Sequence, residues 1–526
     1  MEKFDPIELE LFKNIFISIS EEMAAVLGRT ALSPNIKERK DFSCALFNQR
    51  GETFAQGSHI PVHLGAMPLS VQAALKAVHF DEGDLVVLND PYRGGTHLPD
   101  ITCISPVFVG RQLAFFVANR AHHSDVGGMT PGSMPLATEI FQEGLIIPPL
   151  KLIQKRKLNE ELFHLILSNV RTAEERKGDI LAQMAANEKG KQRLEEIIAK
   201  YGLRKIIRYT HLIQRYTEKI LRETIKDIPD GKYSFSDYLD DDGISDKPVK
   251  IAVEIIIKDS QAIIDFSSSS PQVEGGVNAN FAVTYSAVLY VFRSLIEEDI
   301  PFNTGLMKPL RIKAPRGSIV NALYPAATAG GNVETSQRIV DVLLGALSQA
   351  IPQKIPAASS GTMNNVALGG YDPLRKTNFA YYETIGGGMG ASFDSPGLSG
   401  VHTHMTNSLN TPLEALENYL PLRIRRYSLR WGSGGAGERE GGDGIIREYE
   451  FLVPTQVTII SERRKFSPYG LRGGEQGARG KNILFSQEKR ILLGSKVNIK
   501  VRPKDILRLE TPGGGGYGRK KLKKMK

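Results

Sequence analysis

The chain has 526 residues, 41% hydrophobic and 24% charged, an ordinary globular composition with room for two or three cores. Its net charge of +9 does not point to nucleic acid: six of the positive charges fall in the last eight residues, RKKLKKMK, and no zinc-finger, RNP or recognition-helix spacing accompanies them. Two cysteines build no disulfide framework, the opening MEKFDPIELELF has no basic region followed by an apolar stretch, and no apolar run is long enough to span a bilayer, so the expectation is a soluble, cytoplasmic chain with no membrane contact.

Residues 6–28 read as a helix. Asp5 caps it, Pro6 suits its first turn, and Leu9, Phe12, Phe16, Met23 and Leu27 recur on one face, with Gly28 as the stop. Over 84–120 the pattern changes to three strands, DLVVLND, ITCISPVFV and LAFFVAN. Residues 158–226 return to helix, divided near Gly202 in KYGL. The turn IPDGKY at 228–233 marks a boundary between a first domain, 1–230, and a second, 231–518. KIAVEIIIKDSQAIIDF at 250–266 reads as a hairpin. Beyond residue 330 glycine clusters alternate with strand-like segments, where glycine serves tight turns and close backbone approach, and 519–526 is a disordered basic tail. The fold class is α+β, with a mixed helical and antiparallel β N-terminal half and a β- and glycine-rich C-terminal half.

The chemistry concentrates in NDPYRGGTHLPDITC…NRAHHSDVGG, residues 89–128. Pro99 keeps the segment holding His97 and Asp100 out of a helix interior. The strand that follows turns at residues 110–112 and returns into AHHSD. With Arg111 at the centre of an antiparallel hairpin, Asp100 lies opposite His122. Two imidazoles and a carboxylate suit Zn²⁺, Mn²⁺ or Fe²⁺ and leave positions open. Asp90 and Asp125 flank the group as partners that orient its ligands. The plain alternative is that these histidines cap strands and hydrogen-bond loops. Asp41, in KERKDFSC, is a further carboxylate that spacing does not place. His402 and His404 in VHTHM alternate as on a strand, facing one side, with structural roles favoured. Cys44 reads as packing. The glycines of 432–437 fit a dinucleotide fingerprint in letters only, because no helix follows, and no phosphate loop ending in GK[ST] is present.

Several long motifs carry a resemblance: NDPYRGGTHLPDITCISPVF, the NRAHHSDVGGMTPGSMP run, GGNVETSQRIVDVLLGAL, the VHTHMTNSLNTPLE run, GSGGAGEREGGDGIIREYEF and the closing TPGGGGYG. Over about residues 5–518 the chain resembles the hydantoinase B / 5-oxoprolinase family, which is related to the acetone carboxylase α subunit. The resemblance implies pairing with a hydantoinase A-type ATPase subunit that uses ATP with Mg to phosphorylate the substrate, in a hetero-oligomer. It implies a divalent transition metal on this chain, with Asp41, His97, Asp100 and His122 as ligands, and a cyclic amide as substrate: a hydantoin, 5-oxoproline or another lactam. Phosphorylating the carbonyl oxygen removes amide resonance, and a metal lowers the pKa of its water from about 15.7 to roughly 7 in favourable sites. His123 or Asp125, beside the ligand loop, is the expected general base. Three rivals stay open: an acetone-carboxylase-like carboxylase subunit, a metal hydrolase acting alone, and a non-catalytic scaffold for the ATPase subunit.

Overall fold

Asp5 opens the first helix as expected. Its carboxylate accepts the Ile7 N–H, Pro6 takes the first turn, and α1 runs Pro6–Thr30. Gly28 does not end it. That residue is buried within the helix beside the Lys40 and Phe42 side chains, and the backbone turns extended only at Ala31. The computed structural model describes residues 5–57 and 59–520, so most of the basic tail, 521–526, lies outside the described residues.

The other helices are α2 (Pro34–Lys37), α3 (Ala66–Ala77), α4 (Glu160–Ser168), α5 (Ala173–Tyr201), α6 (Leu203–Lys226), α7 (Phe281–Ser294), α8 (Ser336–Leu347) and α9 (Leu413–Tyr419). Gly202, at φ +81°, separates α5 from α6, a conformation that L side chains rarely adopt. Among the described residues, no helix is long and apolar enough to cross a membrane; the apolar run FAVTYSAVLYVF is part of the core helix α7.

The first sheet holds β1 (Phe42–Asn48), β2 (Thr53–Gln56), β3 (Leu85–Leu88), β4 (Asp100–Val109), β5 (Gln112–His122), β6 (Leu150–Gln154) and β7 (Lys157–Leu158), in the order β2-β1-β5-β4-β3-β6-β7, antiparallel throughout. Period-2 alternation gives it two apolar faces. Phe42, Cys44, Leu46, Phe115 and Val117 pack under α1, α5 and α6, while Ala45, Phe47, Val86, Ile104 and Phe116 pack against Met67, Val71 and Ala74 of α3. Cys44 is core packing.

The second half carries β8 (Gly231–Leu239), β9 (Val249–Lys258), β10 (Gln261–Asp265) and β11 (Leu310–Lys313), ordered β11-β10-β9-β8, with β9–β10 the hairpin read from the sequence and β10–β11 parallel. It continues with β12 (Asn365–Asp372), β13 (Thr377–Glu383), β14 (Leu422–Arg430), β15 (Gly444–Phe451), β16 (Thr455–Ile460), β17 (Lys481–Ser486), β18 (Lys489–Leu493), β19 (Lys496–Val501) and β20 (Ile506–Glu510). These form the sheets β13-β12-β16-β19 and β14-β15-β20-β17-β18. The architecture is α+β. The largest core unites Ile60, Val62 and Met134 with Ile251, Val283, Leu343 and Met405, so it runs through both halves of the chain.

The glycine clusters build a layer of extended segments joined main chain to main chain. Gly388 N donates to Pro512 O, Gly442 N to Met389 O, and Gly514 N to Gly442 O, at 2.8–3.0 Å. A Cβ on Gly388 would stand 1.9 Å from Gly442 O, and one on Gly514 2.0 Å from Met389 O. Neither has a positive φ, so the demand is for space alone. We expect Gly388→Ala and Gly514→Ala each to cost at least ~1–3 kcal/mol by overpacking. Gly494→Ala, whose Cβ meets nothing closer than 3.8 Å, should be near neutral. Urea midpoints read the difference, and equal midpoints for all three variants would refute the packing argument.

Candidate metal centre

The loop before β4 is fixed by its own side chains. Asn89 donates to Leu98 O and Leu145 O and accepts the Ile147 N–H, all at 2.7–2.9 Å, while Asp90 caps the turn Pro91–Arg93 by accepting the Tyr92 N–H. Gly94 follows at φ +87°, packed on the Leu69 and Ser70 backbone where a Cβ would fall 2.4 Å from Leu69 C. His97 and Asp100 are thereby delivered to the buried start of β4.

The β4–β5 register then sets Asp100 opposite His122. The sequence-based pairing is right, though the hairpin is built differently. Its tight turn is Gly110–Arg111 (Val109 pairs with Gln112), and a register shift between Val107 and Phe108 inserts one extra residue on β5, which restores the pairing beyond it.

Three donor atoms meet there. His97 Nε2, His122 Nδ1 and Asp100 Oδ1 stand 3.1 Å from one another, on residues at most 2% exposed. Metal bonds of about 2.0–2.2 Å at ordinary coordination angles place donor atoms roughly 3 Å apart, so the spacing fits one cation shared by all three. Hydrogen bonding alone leaves three acceptor-rich atoms competing for few protons. Among the described residues this is the group of His, Cys, Asp or Glu with metal-binding spacing. Asp100 Oδ2 faces away, accepting from Thr96 Oγ1 and from His63 Nε2 at 3.2 Å. The Tyr382 ring, from β13, stacks on His122 with centroids 4.5 Å apart. A cavity of about 20 Å³, room for about one water, lies against the cluster, and Asp41, His63, Val333, Met363, Tyr382 and Met405 share its wall.

Electrostatics suit a cation. Burial pushes the Asp100 carboxyl up, but His97 and His63 beside it outweigh burial and hold it well below the usual carboxylate range. Burial lowers the His122 and His63 imidazoles, favouring the neutral, ligating form.

The other expected site residues fall in different places. Asp41 lines the same cavity but stands outside the three-atom cluster; its backbone carbonyl accepts the His122 N–H, and its carboxylate lies 3.8 Å from Arg39 Nη2. His123 and Asp125 are not brought to the cavity. His123, the first residue beyond β5, turns away from the cluster: its Nε2 meets Gln183 Oε1 of α5 at 2.9 Å and burial pushes its pKa down to about 4. Both Asp125 oxygens are taken by the Gly127, Gly132 and Arg171 N–H groups and the Arg171 guanidinium, so it shapes a loop. Asp90, likewise, caps a turn and orients no ligand. His402 and His404 do not sit on a strand: Val401 makes a single bridge with Gly387, and His404 has φ +59°. His404 Nδ1 lies 3.4 Å from Tyr290 Oη, and the cavity is lined by the next residues, Met405 and Thr406. His63, Thr96 and Tyr382 were missed. Only His63, in PVH, carried any signal, and nothing in its spacing tied it to Asp100.

Buried and half-buried histidines also set a pH dependence. His63, His122, His123 and His402 all have folded pKa values lowered by burial, to about 4 for His123 and His402. The unfolded chain, titrating near 6.5, then binds more protons than the folded one. The stability these histidines contribute is therefore complete above about pH 6.5 and is lost as pH falls toward about 4, while Glu143 and Glu462, raised by burial to about 7, and Glu334, raised to about 8, contribute the opposite slope over about pH 4.5–8. Denaturant midpoints of wild type and His123→Gln measured across that window check the histidine contribution: the variant should lose less stability than wild type as pH falls, and parallel profiles would contradict the neutral assignment of His123.

Comparison with known proteins places the chain in context. It matches the hydantoinase B/oxoprolinase family over residues 5–520. It is 42% identical to 5-oxoprolinase 1 of Arabidopsis thaliana across 98% of this chain, and spans only 42% of that longer protein. It is 32% identical to the putative D-/L-hydantoinase B-type subunit of a Pseudomonas species, covering 98% of this chain and 90% of that one. Among solved structures, the ATP-dependent caprolactamase of Pseudomonas jessenii superposes with a TM-score of 0.92 at 27% identity, over 98% of this chain and 92% of the other. Nucleotide-free acetone carboxylase, at 19% identity over 98% of this chain and 76% of its own, shares the fold with a TM-score of 0.92.

Proposed function

The chain belongs to the hydantoinase B/oxoprolinase family, and on that premise we propose that it is the metal-carrying subunit of an ATP-dependent enzyme that opens cyclic amides. The observation that carries this is the buried cluster of His97, Asp100 and His122 with donor atoms 3.1 Å apart on a cavity. The relatives supply the reaction class: one is named a 5-oxoprolinase, one a hydantoinase subunit, and the caprolactamase is ATP-dependent. A relative that is one subunit of a hydantoinase supports a separate partner here, which we take to be an ATPase subunit using ATP with Mg. The greater length of the plant 5-oxoprolinase is consistent with both parts joined in one chain.

In this reading His97, Asp100 and His122 hold a divalent transition metal, with Asp41 as the fourth donor from the cavity wall. Such an ion supplies a water whose pKa falls toward neutrality. An amide carbonyl resists attack by water because the nitrogen lone pair is delocalised into it, and ATP-dependent phosphorylation of that oxygen by the partner removes the resistance. The chain's own part is positional. Tyr382 braces the His122 ring, and Val333, Met363 and Met405 give the cavity apolar walls that limit bulk water. With space for about one water, the cavity admits a ring only when its wall opens.

Metal analysis of the purified chain tests the reading. We expect one transition metal per wild-type chain, none in His122→Ala, and a hold weakened at least ~10–100-fold in Asp41→Asn. With ATP and the partner subunit, wild type should open a lactam or hydantoin ring and His122→Ala should not. Full activity and unchanged metal content in His122→Ala would refute the assignment.

A further inference from the structure

The carboxylate of the cluster is held from behind. Asp100 Oδ1 faces His97 and His122, while Oδ2 turns toward two donors, the Thr96 hydroxyl and His63 Nε2 at 3.2 Å. His63 is fixed in turn at its other ring nitrogen, where Ser43 Oγ lies 3.0 Å from Nδ1. Ser43 comes from the start of β1, next to the edge strand of the sheet, His63 from the short turn Pro61–His63, and Asp100 from the start of β4. All three are at most 1% exposed.

Serine, histidine and aspartate in this order at hydrogen-bond distances copy the connectivity of a hydrolytic triad. Access rules that role out. Ser43 is fully buried, paired across the sheet with Arg120, and does not line the cavity, so no carbonyl reaches its hydroxyl. The connectivity has meaning when followed toward Asp100. A Ser43 hydroxyl donating to Nδ1 selects the tautomer with hydrogen on Nε2. That N–H then donates to Asp100 Oδ2, and Thr96 occupies the same oxygen. Only Oδ1 is left to face the two imidazoles.

We propose that Ser43 and His63 form a positioning relay which, with Thr96, presents Asp100 to the metal through one oxygen only. The proposal rests on the metal reading above. A carboxylate bound through one oxygen keeps the coordination number low, which suits Zn²⁺-type ions with an open position. A carboxylate free to chelate through both oxygens suits larger, oxygen-seeking cations such as Ca²⁺. The relay therefore bears on which ion the site retains as well as on how tightly.

The test uses the full chain loaded with Zn²⁺ for affinity, by chelator competition, and with Co²⁺ for its visible absorption spectrum. In His63→Leu the relay predicts an affinity for Zn²⁺ lower by ~10–100-fold. It also predicts a weaker Co²⁺ absorption as Asp100 chelates through both oxygens, at unchanged stoichiometry. His63→Gln, whose side-chain amide can still donate to Oδ2, should recover most of both signals. Ser43→Ala should shift affinity in the same direction by a smaller factor, and it carries the test if His63→Leu fails to fold in a thermal melt. Unchanged affinity and spectrum in His63→Leu and Ser43→Ala would overturn the relay while leaving the metal site standing. Loss of a nitrogen donor in His63→Leu without rescue by glutamine would make His63 a ligand and also overturn it. Failure of the wild-type chain to bind either ion would remove the metal reading and the relay together.

Discussion

The pairing of Asp100 with His122 across the β4–β5 hairpin is the constraint on which the rest of the centre depends. A strand pair fixes its residues to within a pleat, and a slip of one residue would send both side chains to the opposite face. Here the tight turn and the register shift near Val107 act together, and the extra residue they place on β5 decides whether a carboxylate or its neighbour meets the imidazole. His97 can close the cluster only because the loop before β4 is tied down by Asn89 and by the Gly94 turn. The centre thus combines one regular element with one irregular loop, each rigid for a different reason.

How much of this was legible in the sequence follows from distance along the chain. Asp100 and His122 face each other in one hairpin, and two-fold counting about a turn recovers that pair even when the assumed turn centre is off by half a residue; His97 lies three residues ahead of Asp100, in the loop that enters β4. His63 and Tyr382 join from elements whose approach depends on the tertiary packing of two sheets. Nothing local to PVH or to β13 announces it. His123 stands away from the cavity for an equally local reason. Adjacent residues on an extended strand face opposite ways, so proximity in sequence to a ligand argues against proximity in space.

The fold shows the same division. The Asp5 cap, the Gly202 break and the β9–β10 hairpin are decided by a few neighbouring residues and were read correctly. Gly28 was not, because a glycine inside a helix looks the same in sequence as one that ends it, and in the C-terminal clusters the letters alone do not separate a glycine needed for close approach from one needed for a turn. What distinguishes them is the carbonyl of another segment 2 Å from the missing Cβ, as at Gly388 and Gly514. VHTHM was misread for a related reason. Alternation suggested a strand, whereas the segment runs as a loop that sets Met405 and Thr406 against the cavity.

The centre also has to be stable before any ion arrives. A lone ionised carboxylate at the depth of Asp100 would be costly to bury. The chain meets that cost with neutral donors arranged around it, from Thr96 and His63, and with the Arg120 guanidinium nearby, itself pinned to Thr102 and Ser70 at 2.7–2.8 Å. Because these partners engage Oδ2 and leave Oδ1 to the imidazoles, the same contacts that make the buried charge tolerable also aim it. Folding and ligand orientation are therefore satisfied by one set of hydrogen bonds, and the geometry is in place without an ion to organise it. That preorganisation is what a site needs if the ion is to hold its water in a fixed direction rather than merely be retained.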